Sequence, residues 1–490
     1  MTQYLLPLIM LTALAASSAA LATEYFVNPE CTSGCDGTSW AKGWSSFSSI
    51  NWTTLNAGGP NTLYIAGGNY TSPLAIDHTS SSRLHIRPGS ASSNPSGYDG
   101  LVTLRGIALG SNRVIRNVTI SGEATVGSGT RNIKIAPATG VGLYGADARS
   151  KTDSGLQIFY LEIDGSAQGS SCRLHAIEIP QQLCNVEIAY NYIHDIHGNA
   201  AFQSYNPSIV TFAEAGTFHH NTVKNNYGDH FVADWFGGWD VYDNEFWGLG
   251  NYGNTPACHA DGIAGPVMWM RVFNNIFHDS TQEVFISGEG SAHNYYIYNN
   301  IFYSKQIGGW TEPGIMLYWA RGPGTFDKLR IVNNDFYNMN VGAIISTYGG
   351  HNVHFTNTVI ANNIFFPSKL NFALSEPARY DNTELKFYRN VFQGSLSASW
   401  HGTFYSGISG WNSVTGAKGE NANLLCTPTI VNLSGHDFHL QSRDICALDK
   451  GIDLSAFGWT DMGSGWGKDK DGNPRPQGSG WDIGAYELAK

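Results

Sequence analysis

Charge is scarce in this sequence. Only 14% of its 490 residues are Asp, Glu, Lys or Arg, while 42% are hydrophobic, which excludes a disordered or charge-driven chain. Basic residues are the scarcest, 28 against 39 acidic for a net charge of −11, and no run of Lys or Arg occurs. That excludes a nucleic-acid-binding protein, because neutralising phosphates needs a basic surface. It also disfavours a strongly anionic partner unless a cation bridges it. Beyond the N-terminus no apolar stretch is long enough to span a membrane. A regular Leu-rich consensus is missing too, which argues against leucine-rich repeats.

Cysteine is limited to seven residues. Cys31 and Cys35, Cys172 and Cys184, and Cys426 and Cys446 are close in sequence, so three local disulfides are expected, with Cys258 left over as a small buried residue. Leu5 to Ala15 is a short apolar stretch, and Ala20-Leu21-Ala22 matches a small-residue cleavage site, although the first four residues carry no basic side chain. Residues 1–22 therefore read as a secretory signal, and the mature chain is expected outside the cell or in the periplasm.

What is abundant is a repeat. A β-rich segment runs into Asn, then any residue, then usually an apolar one, at Asn191, Asn221, Asn244, Asn275, Asn300, Asn334, Asn363 and Asn390. The spacings are 30, 23, 31, 25, 34, 29 and 27 residues, the size of one supersecondary unit that cannot bury its own apolar face. The units are short, alternate apolar with polar residues and are rich in Val, Ile, Tyr and Phe, so they read as strands. A fixed Asn suits a left-handed turn or a stacked amide ladder. Stacking such units gives parallel strands with right-handed crossovers. A propeller needs about four strands per blade over roughly 40 residues, more than these spacings hold. The fold expected is therefore all-β, a right-handed parallel β-helix.

Earlier segments, LHIRPG at 84–89, LVTLRGI at 101–107, VIRNVTISG at 114–122, IKIAP at 133–137 and LQIFYLEIDG at 156–165, read as earlier coils. Residues 23–75 are expected to be an N-terminal cap with the first strands, placing Trp44, Phe47, Ile50 and Leu55 on one helical face. Residues 76–490 then form the solenoid and its closing segment. NTLYIAGGNYT at 61–71 and WDIGAYEL at 481–488 resemble the entry and closing segments of secreted, pectin-lyase-like β-helix carbohydrate-active proteins. The resemblance implies the fold over most of the mature chain and leaves the reaction open.

Aligning the second strand of each repeat on its hydrophobic residues gives one column of Ala200, His230, Asp261, Glu283, Pro313 and Gly342. Two positions on, Phe202, Val232, Ile263, Phe285, Ile315 and Ile344 form a stack expected to face the core. Strict alternation would point the ionisable column inward as well, at high cost. The expectation is instead that the column sits at a loop-to-strand corner and projects outward. His259-Ala260-Asp261-Gly262-Ile263 resembles the Asn-Thr-Asp-Gly-Ile motif of polygalacturonases, and Gln282-Glu283 lies where that family carries paired aspartates. The resemblance implies a catalytic Asp261. Asp followed by Glu on neighbouring coils is also similar to β-helical xylosidases. The Gly-His-Gly and Arg-Ile-Lys motifs of polygalacturonases are absent, so pectin does not follow as substrate.

Glycoside hydrolysis needs two carboxyl groups in opposite protonation states. Glu283 is the expected general acid, Asp261 the nucleophile or base, and His230 a group that orients or tunes them. His259, Asp229, Asp234 and Glu289 are expected to bind substrate around them. Trp235, Trp310, Tyr318 and Trp319 would stack on sugar rings, and Arg321 would bind a hydroxyl or carboxylate. A monomeric hydrolase acting on a polysaccharide or oligosaccharide, with no cofactor and no metal, is the leading expectation. The alternatives are a polysaccharide lyase with His230 or His259 as base and calcium held by Asp229, Asp234, Asp261 and Glu283, and a non-catalytic adhesive β-helix. KDKDGNPRP at 468–476 has a calcium-loop flavour without the full ligand spacing and reads as a turn.

Overall fold

The computed structural model describes residues 22–489 except 90–96, 111–114, 146–150, 170–174, 180–181, 206–210, 235–236, 250–260, 266–267, 289–290, 305–312, 320–323, 348–352, 367–369, 375–379, 382–383, 395, 401–402 and 464. Among the described residues, successive coils contribute strands to three long sheets, one of which takes two short strands in succession, Val353–Thr356 and Thr358–Ala361. Sheet A has 15 strands and begins at Thr23–Val27; sheets B and C have 13 each and begin at Gly68–Tyr70 and Leu74–Ile76. Pairing is parallel throughout these stacks except at the terminal hairpin of sheet C, Ala398–Trp400 with Thr403–Tyr405. The chain is a parallel β-helix.

The Asn repeat marks the corner between sheets A and B. Each amide donates to the next: Asn275 Nδ2 to Asn300 Oδ1 at 3.0 Å, and Asn300 Nδ2 to Asn334 Oδ1 at 3.0 Å, and so on along the row. Each also donates to a carbonyl of the preceding coil, as Asn300 does to Val272 O at 2.8 Å. The row runs from Asn191 through Asn423 and is capped by Asn412 on the short helix Ile408–Thr415. Asn fits because its side chain is both donor and acceptor, so one residue type satisfies a buried corner in every coil.

The apolar residue two places after each Asn turns into the core. Phe246, Phe277, Phe302, Phe336, Phe365 and Phe392 stack at 5.0, 5.1, 4.7, 4.9 and 5.4 Å between ring centroids. Trp411 of the terminal helix closes that column edge-on. At the other end Trp44, Phe47, Ile50 and Leu55 all enter the core, as expected. They do so from a 3-10 turn at Phe47–Ser49 and a separate helix at Trp52–Asn56, so the single helical face is not formed. LQIFYLEIDG is likewise two strands, Gln157–Phe159 and Leu161–Asp164, because Tyr160 turns the corner between them.

Past the last coil the chain runs back over the outside of the solenoid. Leu454, Met462 and Trp481 pack on Phe273, Tyr296, Tyr298 and Val332 of sheet A. Phe438, Leu440, Ala447, Ile483 and Ala485 pack on Ile301, Tyr303, Tyr337, Ile364 and Val391 of sheet B. WDIGAYEL is the knot of this strap. Arg475 and Glu487 pair at 2.9 Å with almost no exposure, and Arg475 Nη2 donates to Gly484 O at 2.8 Å. Gly484 has φ +105°, and a Cβ there would lie 2.4 Å from Asp335 Oδ1, so only glycine fits. In KDKDGNPRP, Asp469 Oδ1 accepts backbone N–H bonds from Asp471 and Asn473, and the segment is a turn.

Cys31–Cys35 and Cys426–Cys446 are disulfides. Cys184 is buried; Cys172 and Cys258 lie outside the described residues. No helix of the described residues is long and apolar enough to cross a membrane.

Candidate active site

The expected column lies in sheet C, on strands β1 (His175–Ile179), β2 (Ala200–Tyr205), β3 (Asp229–Asp234), β4 (Asp261–Gly265), β5 (Gln282–Gly288) and β6 (Pro313–Trp319). The observed register corrects it. Phe202 pairs with Phe231, Phe231 with Ile263, Ile263 with Val284, and Val284 with Ile315, and all five are core residues. Val232, Phe285 and Ile344 belong to the neighbouring column instead, and Val341 rather than Gly342 pairs with Pro313. A one-residue slip moves every side chain to the other face. It arises here because the strand starts are short residues (Ala200, Ala201, Gly262) that carry little hydrophobic signal.

The corrected register splits the ionisable residues into two columns. Ala200 pairs with Asp229, and Asp261 pairs with Gln282; the register of β3 on β4 brings Asp229 beside Asp261. This column, headed by His175 on β1, lies on the outer side: Ala200 packs with Val232 and Ala264 in a small cluster apart from the core. His230, Gly262 and Glu283 form the adjacent column with Ala201, which is itself a core residue. Ala201 and Phe202 both face the core, so alternation is interrupted at the corner. Asp229 and Asp261 fall in the column of Ala200, outside the main core cluster, and His230 and Glu283 in the column of Ala201, within it; all four are buried.

Asp229 and Asp261 therefore sit on consecutive coils, one strand spacing of about 4.8 Å apart. Asp261 N donates to Asp229 Oδ1 at 2.8 Å. Both are almost wholly buried, at 3% and 1% exposure. The sequence placed Asp229 among surrounding binding residues or calcium ligands, aligned Glu283 where Gln282 stands, and missed His175, whose strand was not in the alignment. Burial pushes the His175 imidazole down to about 4, so it is neutral at pH 7.

Behind this pair, Asn226 Oδ1 accepts from Ile196 N at 3.0 Å, which directs its amide nitrogen at His230 Nδ1, 2.8 Å away. His230 Nδ1 is thus an acceptor, and the ring proton sits on Nε2. Burial, aided by the nearby His278, holds this imidazole down at about 3. Glu283 Oε1 accepts from Ser280 N at 3.1 Å, and burial lifts the carboxyl to about 8, so it is largely protonated at neutral pH. His230 Nε2 and Glu283 Oε2 have no hydrogen-bond partner among the described residues.

Outward of the corner, Glu178, Gln203, Val232, Ala264, Phe285 and Met316 form the next exterior column. Tyr318 is half-buried beside Phe285, with ring centroids 5.7 Å apart. Trp235, His259, Glu289, Trp310 and Arg321 lie outside the described residues, as do the side chains of Asp234 and Trp319. One group has metal-ligand geometry among the described residues, Glu162, Asp164 and His194 on sheet B. The Lys134 ammonium already occupies it, 2.8 Å from Glu162 and 2.7 Å from Asp164.

No protein-family model matches the sequence, and no curated protein matches it significantly. Three solved structures resemble the fold at low identity. The complex of XylC with xylose matches with a TM-score of 0.49 at 9% identity, over 95% of this chain and 98% of that one. The PL6 family alginate lyase AlyGC matches with a TM-score of 0.46 at 11% identity, over 86% of this chain and 55% of that one. Pectate lyase Pel9A matches with a TM-score of 0.37 at 13% identity, over 96% and 98%.

Proposed function

We propose that the protein is an exported glycoside hydrolase that cleaves a polysaccharide or oligosaccharide at the outer corner of sheet C, with Asp229 and Asp261 as its carboxyl pair. The observation that carries this reading is their register: two carboxyl groups on consecutive coils, joined through the Asp261 N–H. One strand spacing is close to the carboxyl separation of about 5–5.5 Å used by retaining glycosidases. Such a mechanism needs one carboxyl protonated and the other ionised. Glu283 faces the core, so the acid role passes from it to one member of the outer pair. His230 and Glu283 become groups that hold the corner from behind. Two disulfides fit an oxidising compartment.

The test is to incubate the mature protein with a polysaccharide panel, following new reducing ends and the absorbance of unsaturated uronates, with and without chelator. Reducing ends without unsaturation are expected, unaffected by chelator. Unsaturated product would instead establish a lyase. Tight binding without product would leave the adhesive.

A further inference from the structure

The residue before each ladder Asn from Asn191 to Asn390 adopts a left-handed backbone, as does Tyr160 before Leu161 at the same corner one coil earlier. From coil to coil these are Tyr160, Tyr190, His220, Asp243, Asn274, Asn299, Asn333, Asn362 and Arg389, with φ between 49° and 62°. Asn tolerates this conformation; a bulky Tyr does not, and strain of this kind is kept where the surroundings or a function demand it. The division follows the C-terminal strap. Asn299 Nδ2 donates to Lys468 O at 2.8 Å, Asn362 Nδ2 donates to Ile452 O at 3.0 Å, and Lys470 Nζ donates to Asn274 O at 2.6 Å. Where the strap covers this corner, the side chains of Asn299 and Asn362 anchor it, and Asn274 does so through its backbone carbonyl.

Upstream of those contacts the same corner carries rings. Tyr160 and Tyr190 stack with centroids 4.8 Å apart and planes 7° apart, and His220 follows at 4.9 Å, tilted by 33°. Both tyrosines are half-buried and His220 is exposed. Beside them opens a cleft of about 370 Å3, lined in part by Tyr190, His220, Thr222, Asp243, Glu245 and Lys470.

We infer that this corner is a second, non-catalytic binding site for a neutral glycan chain, separate from Asp229 and Asp261. Rings offer apolar contact to sugar C–H groups, and Thr222, Asp243 and Glu245 accept hydrogen bonds from hydroxyls. The two carboxylates, on a chain of net charge −11, disfavour a polyanion. The inference rests on the carbohydrate reading but not on where cleavage occurs.

Affinity electrophoresis of the full chain tests it, in gels holding xylan, glucomannan or galactomannan, and in others holding alginate or polygalacturonate. The chain should be retarded by at least one neutral polymer. Tyr190→Asn and His220→Asn should each weaken that binding at least fivefold, with Tm unchanged or raised, because they install the residue that later coils use. Asp261→Asn should stop product release and leave retardation intact. Retardation that survives Tyr190→Asn and His220→Asn, retardation by the anionic polymers alone, or none at all overturns the inference. So does a lowered Tm in both Asn variants, which would show that the rings only pack. Product release that depends on Asp261 without any retardation would uphold the catalytic reading and sink this one. Retardation without product would do the reverse.

Discussion

Two corners of the same coil bury polar side chains, and they do so in opposite ways. At the corner of sheets A and B, Asn275, Asn300 and Asn334 are each bonded on both amide atoms, to neighbouring amides and to backbone. At the corner entering sheet C, His230 and Glu283 are equally buried, yet each keeps one atom without a partner among the described residues. Satisfied buried amides hold a structure together. Buried ionisable groups left partly unsatisfied are costly, and perturbed groups of this kind gather at functional sites. The first corner is where the coil is held, and the second is where its chemistry is concentrated.

The comparison breaks first at Asp261→Asn and Asp229→Asn. Each should lower turnover by about 10²–10⁴-fold, the usual weight of one acid or base, with Tm close to wild type. Initial rates on the best polysaccharide and a thermal melt measure both. Retained turnover in either variant would make the outer column structural. Asn300→Ala should do the converse. It strands donors and acceptors on Asn275, Asn334 and Val272, so about 3 kcal/mol of stability should go. Turnover per folded molecule should not move.

The first corner was readable from sequence because one residue type recurs with one role, so Asn191 to Asn390 needed no knowledge of the loops between them. The row's end was not readable. Asn423 follows Asn390 by 33 residues in a segment with little strand pattern, and Asn412 sits on a helix. At the second corner the residue types were visible but not their sides. Ala200, Ala201, Gly262 and Ala264 offer no bulky side chain to fix the register, and the slip placed Glu283 beside Asp261 instead of Asp229. Only the backbone pairing separates a column that faces out from one that faces in.

Linked protons sharpen the comparison next. Glu283, lifted from 4.5 to about 8, binds a proton in the folded state that the unfolded chain releases, so stability falls as pH rises through that window. His230, lowered from 6.5 to about 3, stays neutral when folded and takes up a proton on unfolding, so stability rises with pH between those values. From about pH 4.5 to 6.5 the two slopes oppose each other. Glu283→Gln should remove one and expose the other, so that stability rises by about 1.4 kcal/mol per pH unit across that range relative to wild type. Urea melts at pH 5 and 6 measure it. An unchanged difference between the two would mean that Glu283 is already ionised and solvated.

The smallest effect belongs to an ion pair that is neither corner. His439 Nδ1 lies 2.6 Å from Asp437 and Nε2 lies 2.8 Å from Asp471, which links the hairpin of the strap to its turn. Though burial opposes it, hydrogen bonds to Asp471 and Asp437 raise the imidazole above its usual value. Its contribution is therefore full below pH 6.5 and is lost as pH rises through the raised value. With His439 and Asp471 at 39% and 49% exposure, solvent screens the pair, so Asp471→Asn should cost less than about 1 kcal/mol. The cost should show as a narrowed difference in Tm between pH 6 and 8, and it should fade in 1 M salt. If Asp471→Asn instead cost as much as Asn300→Ala, the strap would rival the Asn row in holding the coils. The contrast between a holding corner and a chemical corner would then lose its first half.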